Sequence, residues 1–192
     1  MTPEVRAFEY AIGLFSVIIG LAVADIATSF HRLVRRGPRV DWDPLTLLAA
    51  LYALWIVIGL WFQIWRIRDV PDSRHFLFFV SIFAELFVLF LVAAASLPDE
   101  LEANVALRAY YDSNRRYFWS LIVLYQLGFA GHGAYFYTHG LQAPWVHLAS
   151  NFVIPLVVPI VLLVTKSRVV HYVGIAVLFA VTGIDRASFA IN

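Results

Sequence analysis

The chain has 192 residues, of which 61% are hydrophobic and 14% charged, and its mean hydropathy is +0.78. Soluble domains carry about 25% charged residues, and here the charges lie between long apolar runs, as in multi-pass membrane proteins. The absence of cysteine excludes disulfides, thiolate metal sites and cysteine nucleophiles, and the short basic clusters argue against nucleic-acid binding.

Six apolar segments are each close to the roughly 20 residues that a helix needs to cross the hydrocarbon core. We therefore predict an all-α membrane protein that forms a single polytopic transmembrane domain over residues 1–192. The predicted spans are 8–30, 45–65, 75–97, 117–137, 145–165 and 169–189. Pro3 and Pro44 favour helix starts, because the first helical position does not need its N–H group, and Asp43 is the predicted cap of the second helix.

Residues 99–116 form the longest polar stretch between spans. Pro98, Asp99 and Glu100 are typical of a helix start, and a ragged apolar stripe follows them. We predict a short interfacial helix between the third and fourth spans. A solvated connector is the alternative.

The distribution of Lys and Arg predicts the orientation in the membrane. Nine of the 14 basic residues follow the first, third and fifth spans, among them those of the Arg-rich 31–39 loop. We place this loop in the cytoplasm and both termini outside, with the inverted topology as the alternative. The first span starts with acidic residues and ends in a basic cluster, which predicts a retained helix rather than a cleaved signal peptide.

Glu85 stands alone near the middle of the third span. An ionisable side chain there costs at least about 2.5 kcal/mol, so it usually faces a bundle interior or a wet cavity. At 1.5 Å per residue it lies about 15 Å below the start of the span. Gln126, Trp55 and Pro155 are at similar depth in other spans, which predicts a polar layer near the midplane. A Glu85 that only hydrogen-bonds another helix, without lining a cavity, is the alternative.

Two prolines interrupt the fifth span. Pro155 and Pro159 remove helical N–H donors and free carbonyl oxygens near Asn151, which are candidate ligands for a cation; a packing kink is the alternative. We assign Glu85, Gln126, Asn151 and Asp25 to a candidate ion or proton pathway. For Asp25, near the inner end of the first span, an interfacial salt bridge with Arg32 or His31 is the alternative.

Several histidines map to the outer side. His75, His132 and His147 with Asp185 are candidate ligands for a transition metal, although their spacing matches no ligand motif; interfacial histidines without a metal are the alternative. His75 and His132 are also the plausible outer pair for haem ligation. The sequence identifies no cofactor.

Small residues repeat along one side of the first span. Gly13, Gly20 and Ala24 allow another helix to approach closely. We predict a helix-packing face, either within the chain or between copies of it in a homo-oligomer.

Residues 8–10 (Phe-Glu-Tyr), 16–21 and 110–118 resemble a family of small uncharacterised bacterial multi-pass proteins. This resemblance implies a location in the bacterial inner membrane. The chain also resembles bacterial homologues of the lysosomal potassium channel transmembrane protein 175, which have six spans in a similar length. Their Phe-Ser-Asp motif is not matched by residues 8–10, so the resemblance transfers no pore residue and implies only an oligomeric channel with the first span near its axis.

The sequence predicts a homo-oligomeric membrane protein that conducts or transports a proton or monovalent cation. One alternative is a non-conducting subunit or sensor that binds a cytoplasmic partner through residues 31–40 and 99–116. Another is a membrane metal or haem protein. No hydrolase motif or phosphate-binding loop supports an enzyme.

Overall fold

The computed structural model describes residues 3–66, 76–99, 104–138 and 149–187, and it describes side chains within 12–64, 76–99, 104–135 and 151–183. Within these residues the architecture is all-α, as predicted, apart from two short strands. The helices are α1 (Pro3–Arg36), α2 (Pro44–Arg66), α3 (Phe76–Ser96), α4 (Leu107–Thr138), α5 (Ile154–Val164) and α6 (Arg168–Ala187). The first two helices begin at the predicted prolines.

Three helices are long and apolar enough to cross a membrane, with candidate spans at Ile12–Arg39, Pro44–Ile64 and Phe76–Ser96. Asn151–Val164 and Arg168–Gly183 are shorter apolar helices. Large apolar side chains such as Val17, Leu21 and Phe87 are exposed on the outside of the bundle, where lipid tails provide their apolar surroundings. The chain is a multi-pass helical membrane protein.

The predicted interfacial helix between the third and fourth spans is wrong for the described part of 99–116. Strand β2 (Val105–Ala106) pairs in parallel with strand β1 (Val40–Asp41), and α4 then runs without a break from Leu107. The apolar stripe is buried against the protein rather than against lipid, since Leu107 is 0% and Tyr111 5% exposed. This packing makes residues 107–116 the first turns of α4.

Helix α2 contacts α1, α3, α4 and α6, and α3 contacts α1, α2 and α4, while α5 packs on α4 and α6. Phe15 of α1 stacks on Phe79 of α3, with ring centroids 5.2 Å apart. The buried ring of Tyr52 on α2 contacts Trp119 of α4 and Phe179 of α6. Helices α3 and α4, which carry the candidate site, pack directly against each other.

The connections after α1, α3 and α5 meet at one end of the bundle, which we call the Arg-rich end. Asp43 caps α2 as predicted, accepting a hydrogen bond from the Thr46 backbone N–H at 3.1 Å. Arg168 at the start of α6 pairs with Asp43 and, at 3.3 Å, with Asp112 of α4. Arg32 donates to the backbone oxygen of Asp99 at 2.7 Å. The start of α3 and the end of α4 lie at the opposite end.

The fifth span contains the predicted interruption. A π-helical turn, Ala149–Val153, precedes α5, and Pro155 lies in the first turn of that helix. Pro159 lies inside α5. Turns of this kind are frequent at functional sites, and this one packs against α4.

Candidate functional site

Glu85 of α3 contacts His132 of α4. The carboxyl oxygen Oε1 lies 2.7 Å from the ring nitrogen Nδ1, and the two side chains are 8% and 16% exposed. The charge that stands alone in the sequence therefore has a titratable partner on the neighbouring helix. When one of the two groups is ionised, a hydrogen bond between them is about twice as strong as a neutral one.

The second ring nitrogen of His132 is also engaged. Nε2 lies 2.8 Å from Oγ of Ser81, whose hydroxyl lies 2.7 Å from the backbone oxygen of Phe78. Ser81 and Glu85 are four residues apart, so they share one face of α3 and can reach the same ring. We call this arrangement the Ser81–His132–Glu85 chain.

Gly128 leaves the space that the Glu85 carboxyl occupies. A Cβ atom on Gly128 would lie 2.9 Å from Oε1 and 3.1 Å from Cγ of Glu85. Gly128 and His132 are four residues apart on one face of α4. Because glycine has no Cβ, the α4 backbone approaches the carboxyl closely enough for the His132 ring to reach it.

An aromatic ring packs against the histidine. Phe78 contacts the His132 ring edge-to-face with centroids 5.5 Å apart, and Tyr135 lies 6.1 Å from Phe78. An apolar shell lowers the local dielectric constant, which strengthens the hydrogen bonds inside it and makes an unpaired polar group there costly. The site is therefore built for polar groups that stay paired.

The predicted midplane layer is divided between two places in the bundle. Trp55 of α2 donates its indole N–H to Thr182 of α6 at 2.8 Å, away from the α3–α4 contact. Gln126 of α4 is buried, with 5% exposed, and the described hydrogen bonds do not join it to Glu85. His132 takes the place that the sequence assigned to Gln126.

Asn151 lies in the π-helical turn next to the site. Its neighbour Phe152 fills a notch at Gly133, where an added Cβ would lie 2.1 Å from the ring. Gly133 follows His132 directly in α4. The turn thus packs against the backbone that carries the histidine.

Asp25 is half-buried on α1. Arg32 contacts Asp99 and Ser29, and among the described residues no ion pair joins Asp25 to Arg32 or His31. Asp25 therefore forms neither predicted ion pair among the described residues, although Arg32 is near enough to act on its charge, and it is not part of the Ser81–His132–Glu85 chain.

Gly13, Gly20 and Ala24 lie on an exposed face of α1. An added Cβ would meet nothing within 4 Å at either glycine. Within the described part of the chain this face therefore packs against no other helix.

The outer metal candidates are not assembled by the described residues. His75 and His147 lie outside the described ranges, as does the side chain of Asp185. His132 uses both ring nitrogens in hydrogen bonds, so neither lone pair is free for a metal in this arrangement. No group of three or more His, Asp or Glu among the described side chains is arranged to hold a metal ion.

A second buried polar cluster lies at the Arg-rich end and was not predicted. Trp119 donates its indole N–H to the Tyr111 hydroxyl at 3.0 Å, and that hydroxyl lies 2.6 Å from Nδ1 of His171. Burial raises the pKa of Tyr111 to about 12, so its hydroxyl stays protonated and donates to His171. Nε2 of His171 then donates to the Thr165 backbone oxygen at 3.2 Å, which also accepts from Arg115. Each polar group has a partner, which is the pattern of a structural joint between α4 and α6.

No protein-family model, curated protein or solved structure matches the chain. The resemblances noted from the sequence gain no support from these comparisons. The functional argument therefore depends on the geometry of the site.

Proposed function

We propose that the protein moves protons across the membrane and that Glu85 and His132 bind the proton on its way. The observation that carries the proposal is the 2.7 Å contact between two ionisable groups inside a helical membrane bundle. Two neutral amides would join α3 and α4 by the same hydrogen bond without the cost of an ionisable group at this depth. Ionisable groups at membrane depth are found in proton relays.

A proton fits the site better than an alkali cation. Oxygen-rich sites, such as rings of carbonyl groups, replace the hydration shell of an alkali ion. Here Oε1 of Glu85 faces a ring nitrogen, and the described neighbours of the carboxyl are His132 and the Gly128 backbone. Carboxylate and imidazole both bind a proton in preference to an alkali cation.

The order Ser81–His132–Glu85 also matches that of a serine hydrolase triad. Such enzymes need donors for the oxyanion that forms on the substrate. Ser81 lies inside α3, where backbone N–H groups are used within the helix, and the described residues place no pair of free donors beside it. Proton transfer without a covalent step is the chemistry that these residues support.

Homo-oligomerisation is part of the proposal. Its support is the open face of Gly13, Gly20 and Ala24 on α1, where small residues would allow a second helix to approach. A cytoplasmic partner at the Arg-rich end is the competing function, and the exposed side chains of Arg35, Arg39, Arg108 and Arg116 favour it. It predicts that substitutions at these arginines impair function more than Glu85→Gln does.

The proposal is tested by proton flux into liposomes that contain the purified protein, measured with a trapped pH-sensitive dye. Glu85→Gln keeps an oxygen that accepts from His132 but removes the titratable group, so we expect a folded protein with flux reduced at least tenfold. His132→Gln should have the same effect. Thr182→Val is the matched control, because it removes another hydrogen bond between helices, the one to Trp55, and should leave flux within twofold of wild type.

Wild-type flux no greater than that of empty liposomes would refute the proposal. So would a Glu85→Gln protein that carries protons as fast as wild type. In the latter case the contact between α3 and α4 would be a packing interaction.

A further inference from the structure

The Ser81 hydroxyl lies within hydrogen-bond distance of two acceptors. Oγ is 2.7 Å from the Phe78 backbone oxygen and 2.8 Å from Nε2 of His132. A hydroxyl has one proton and can donate it to one acceptor at a time. Both short contacts are hydrogen bonds at the same moment only if Nε2 carries a hydrogen and donates it to Oγ.

Two arrangements of the same atoms follow. In the unloaded arrangement Glu85 is ionised, Nδ1–H of His132 donates to it, and Nε2 accepts from Ser81. In the loaded arrangement one more proton is present. Nε2–H then donates to Ser81, and the Ser81 hydroxyl turns to the Phe78 oxygen. The net charge of Glu85 and His132 together is −1 in the first arrangement and zero in the second.

We propose that Ser81 is the proton-linked switch of this site and the group through which protons enter it. The hydroxyl pairs with His132 in both arrangements, as donor when the site is empty and as acceptor when it is loaded. It therefore prevents either form of the ring from being buried without a partner. That the bound proton is also the transported proton rests on the proposed function. The switch itself does not depend on that function.

The geometry gives the transfer a direction. Ser81 is four residues closer than Glu85 to the start of α3, about 6 Å along the helix axis. It is also half-buried, whereas Glu85 is buried. Ser81 passes its proton to Nε2 while its oxygen takes one from a hydronium ion at the opposite end of the bundle, which leaves as a neutral water molecule. The ring then passes the proton on Nδ1 to Oε1 of Glu85, so no proton is lost or created.

Few other titratable groups among the described side chains face this site. Helix α1 contributes Asp25, ten residues beyond the Phe15 contact with α3 and so about 15 Å further along its axis. On α2 the Tyr52 ring lies against Trp119 and Phe179, and on α4 the rings of Tyr125 and Tyr135 lie against Phe129 and Phe78. The π-helical turn and α5 contain no charged residue. Among the described side chains, Glu85 and His132 are therefore the acid and base that the hydrogen bonds of this site join.

Ser81→Thr and Ser81→Val form the matched test, because both are β-branched and of similar shape, while threonine keeps the hydroxyl. The full-length protein is labelled with ¹⁵N-histidine and studied in bilayers, with the His132 signals assigned by their loss in His132→Gln. Valine leaves the N–H of the loaded ring without an acceptor. Because hydrogen bonds to charged groups are the stronger ones, we expect the pH midpoint of His132 to fall by about one unit, a tenfold loss of proton affinity.

Ser81→Thr should keep the wild-type midpoint within about 0.3 units, a shift that corresponds to less than 0.5 kcal/mol. Ser96→Ala is the control for hydroxyl loss, because Ser96 of α3 makes the same kind of bond to a backbone oxygen three residues earlier, at 2.7 Å. Among the described residues no histidine contacts it. This control should not move the His132 signal.

Flux into liposomes, measured on the same samples, separates the two proposals. A His132 midpoint that falls in Ser81→Val, with no wild-type proton flux, supports the switch and removes the proposed function. Equal midpoints in Ser81→Val and Ser81→Thr overturn the switch, whatever the flux. If Ser81→Val does not give a folded spectrum, Ser81→Ala replaces it under the same criterion.

Discussion

Gly128 provides the sharpest test of the packing around Glu85. A Cβ at this position would lie 2.9 Å from Oε1, 3.1 Å from Cγ and 3.5 Å from Cδ of Glu85. Comfortable contacts between carbon atoms are about 3.5–4.0 Å, so Gly128→Ala requires the Glu85 side chain to move by roughly 0.5 Å. The same movement would lengthen its 2.7 Å bond to His132.

The expected cost follows from two opposing effects. Inserting a methyl group into a packed interior destabilises by about 1–3 kcal/mol, while alanine stabilises a helix relative to glycine by about 1 kcal/mol. Gly131→Ala is the matched control, because it lies on the same helix and its added Cβ would meet nothing within 4 Å. The control gains only the helix stabilisation that alanine provides, without the steric cost. We therefore expect Gly128→Ala to be less stable than Gly131→Ala by about 1–3 kcal/mol.

Reversible unfolding in detergent measures the stability difference, and liposome flux measures the functional effect. Gly128→Ala should lose proton flux because Glu85 is displaced from His132, whereas Gly131→Ala should conduct as wild type. Equal stability and equal flux in the two variants would show that the carboxyl does not occupy the space beside Gly128. The geometry of the whole site would then be incorrect.

Three further predictions concern other parts of the bundle. Gly133→Ala places a Cβ 2.1 Å from the Phe152 ring, so we expect it to lower the unfolding temperature more than Gly128→Ala does. A Gly133→Ala protein as stable as wild type would contradict the packing of the π-helical turn on α4. The chain has no cysteine, so Gly20→Cys should form disulfide-linked dimers in liposomes if α1 joins two copies. Ala22→Cys should not, because Ala22 is buried, with 2% exposed. Monomers from both variants would show that this face of α1 is not the contact between copies. Tyr111→Phe leaves two buried polar groups unpaired and should destabilise by about 2–3 kcal/mol without abolishing flux, and loss of flux at full stability would show that the second cluster is part of the pathway.

The sequence located the helices because long apolar runs between charged turns have few other structures available. Among the described residues three helices, α1 to α3, are long and apolar enough to span a membrane, and six spans stay a prediction. The prolines marked the starts of α1 and α2, and Asp43 was recognised as a cap. For the described part of 99–116 the interfacial helix was wrong, because the ragged stripe indicated an apolar surface but not its partner. Leu107 and Tyr111 of that stripe are buried within the protein.

Glu85 could be recognised because an ionisable group in a long apolar run is costly wherever it faces. Its partner could not, because contact between helices depends on their rotation about their own axes, which periodicity does not fix. Counting from the end of α4 gives a partial signal: His132 lies six residues, about 9 Å, before Thr138, at a depth between Ser81 and Glu85. Sequence reasoning instead grouped it with His75 and His147 as a metal candidate.

Gly128 gave no signal, since a glycine in a membrane helix has many uses. Its role follows from the atoms opposite it, which belong to a helix more than 30 residues earlier in the chain. The same holds for Ser81, whose second hydrogen bond depends on where the His132 ring lies.

The most direct test of proton movement is a comparison of proton flux through wild-type protein and Glu85→Gln in identical liposomes under a fixed potassium-diffusion potential. Flux through the wild type that is at least tenfold faster than through a folded Glu85→Gln protein is the predicted result. Equal flux through the two proteins, or wild-type flux at the level of empty liposomes, would contradict it.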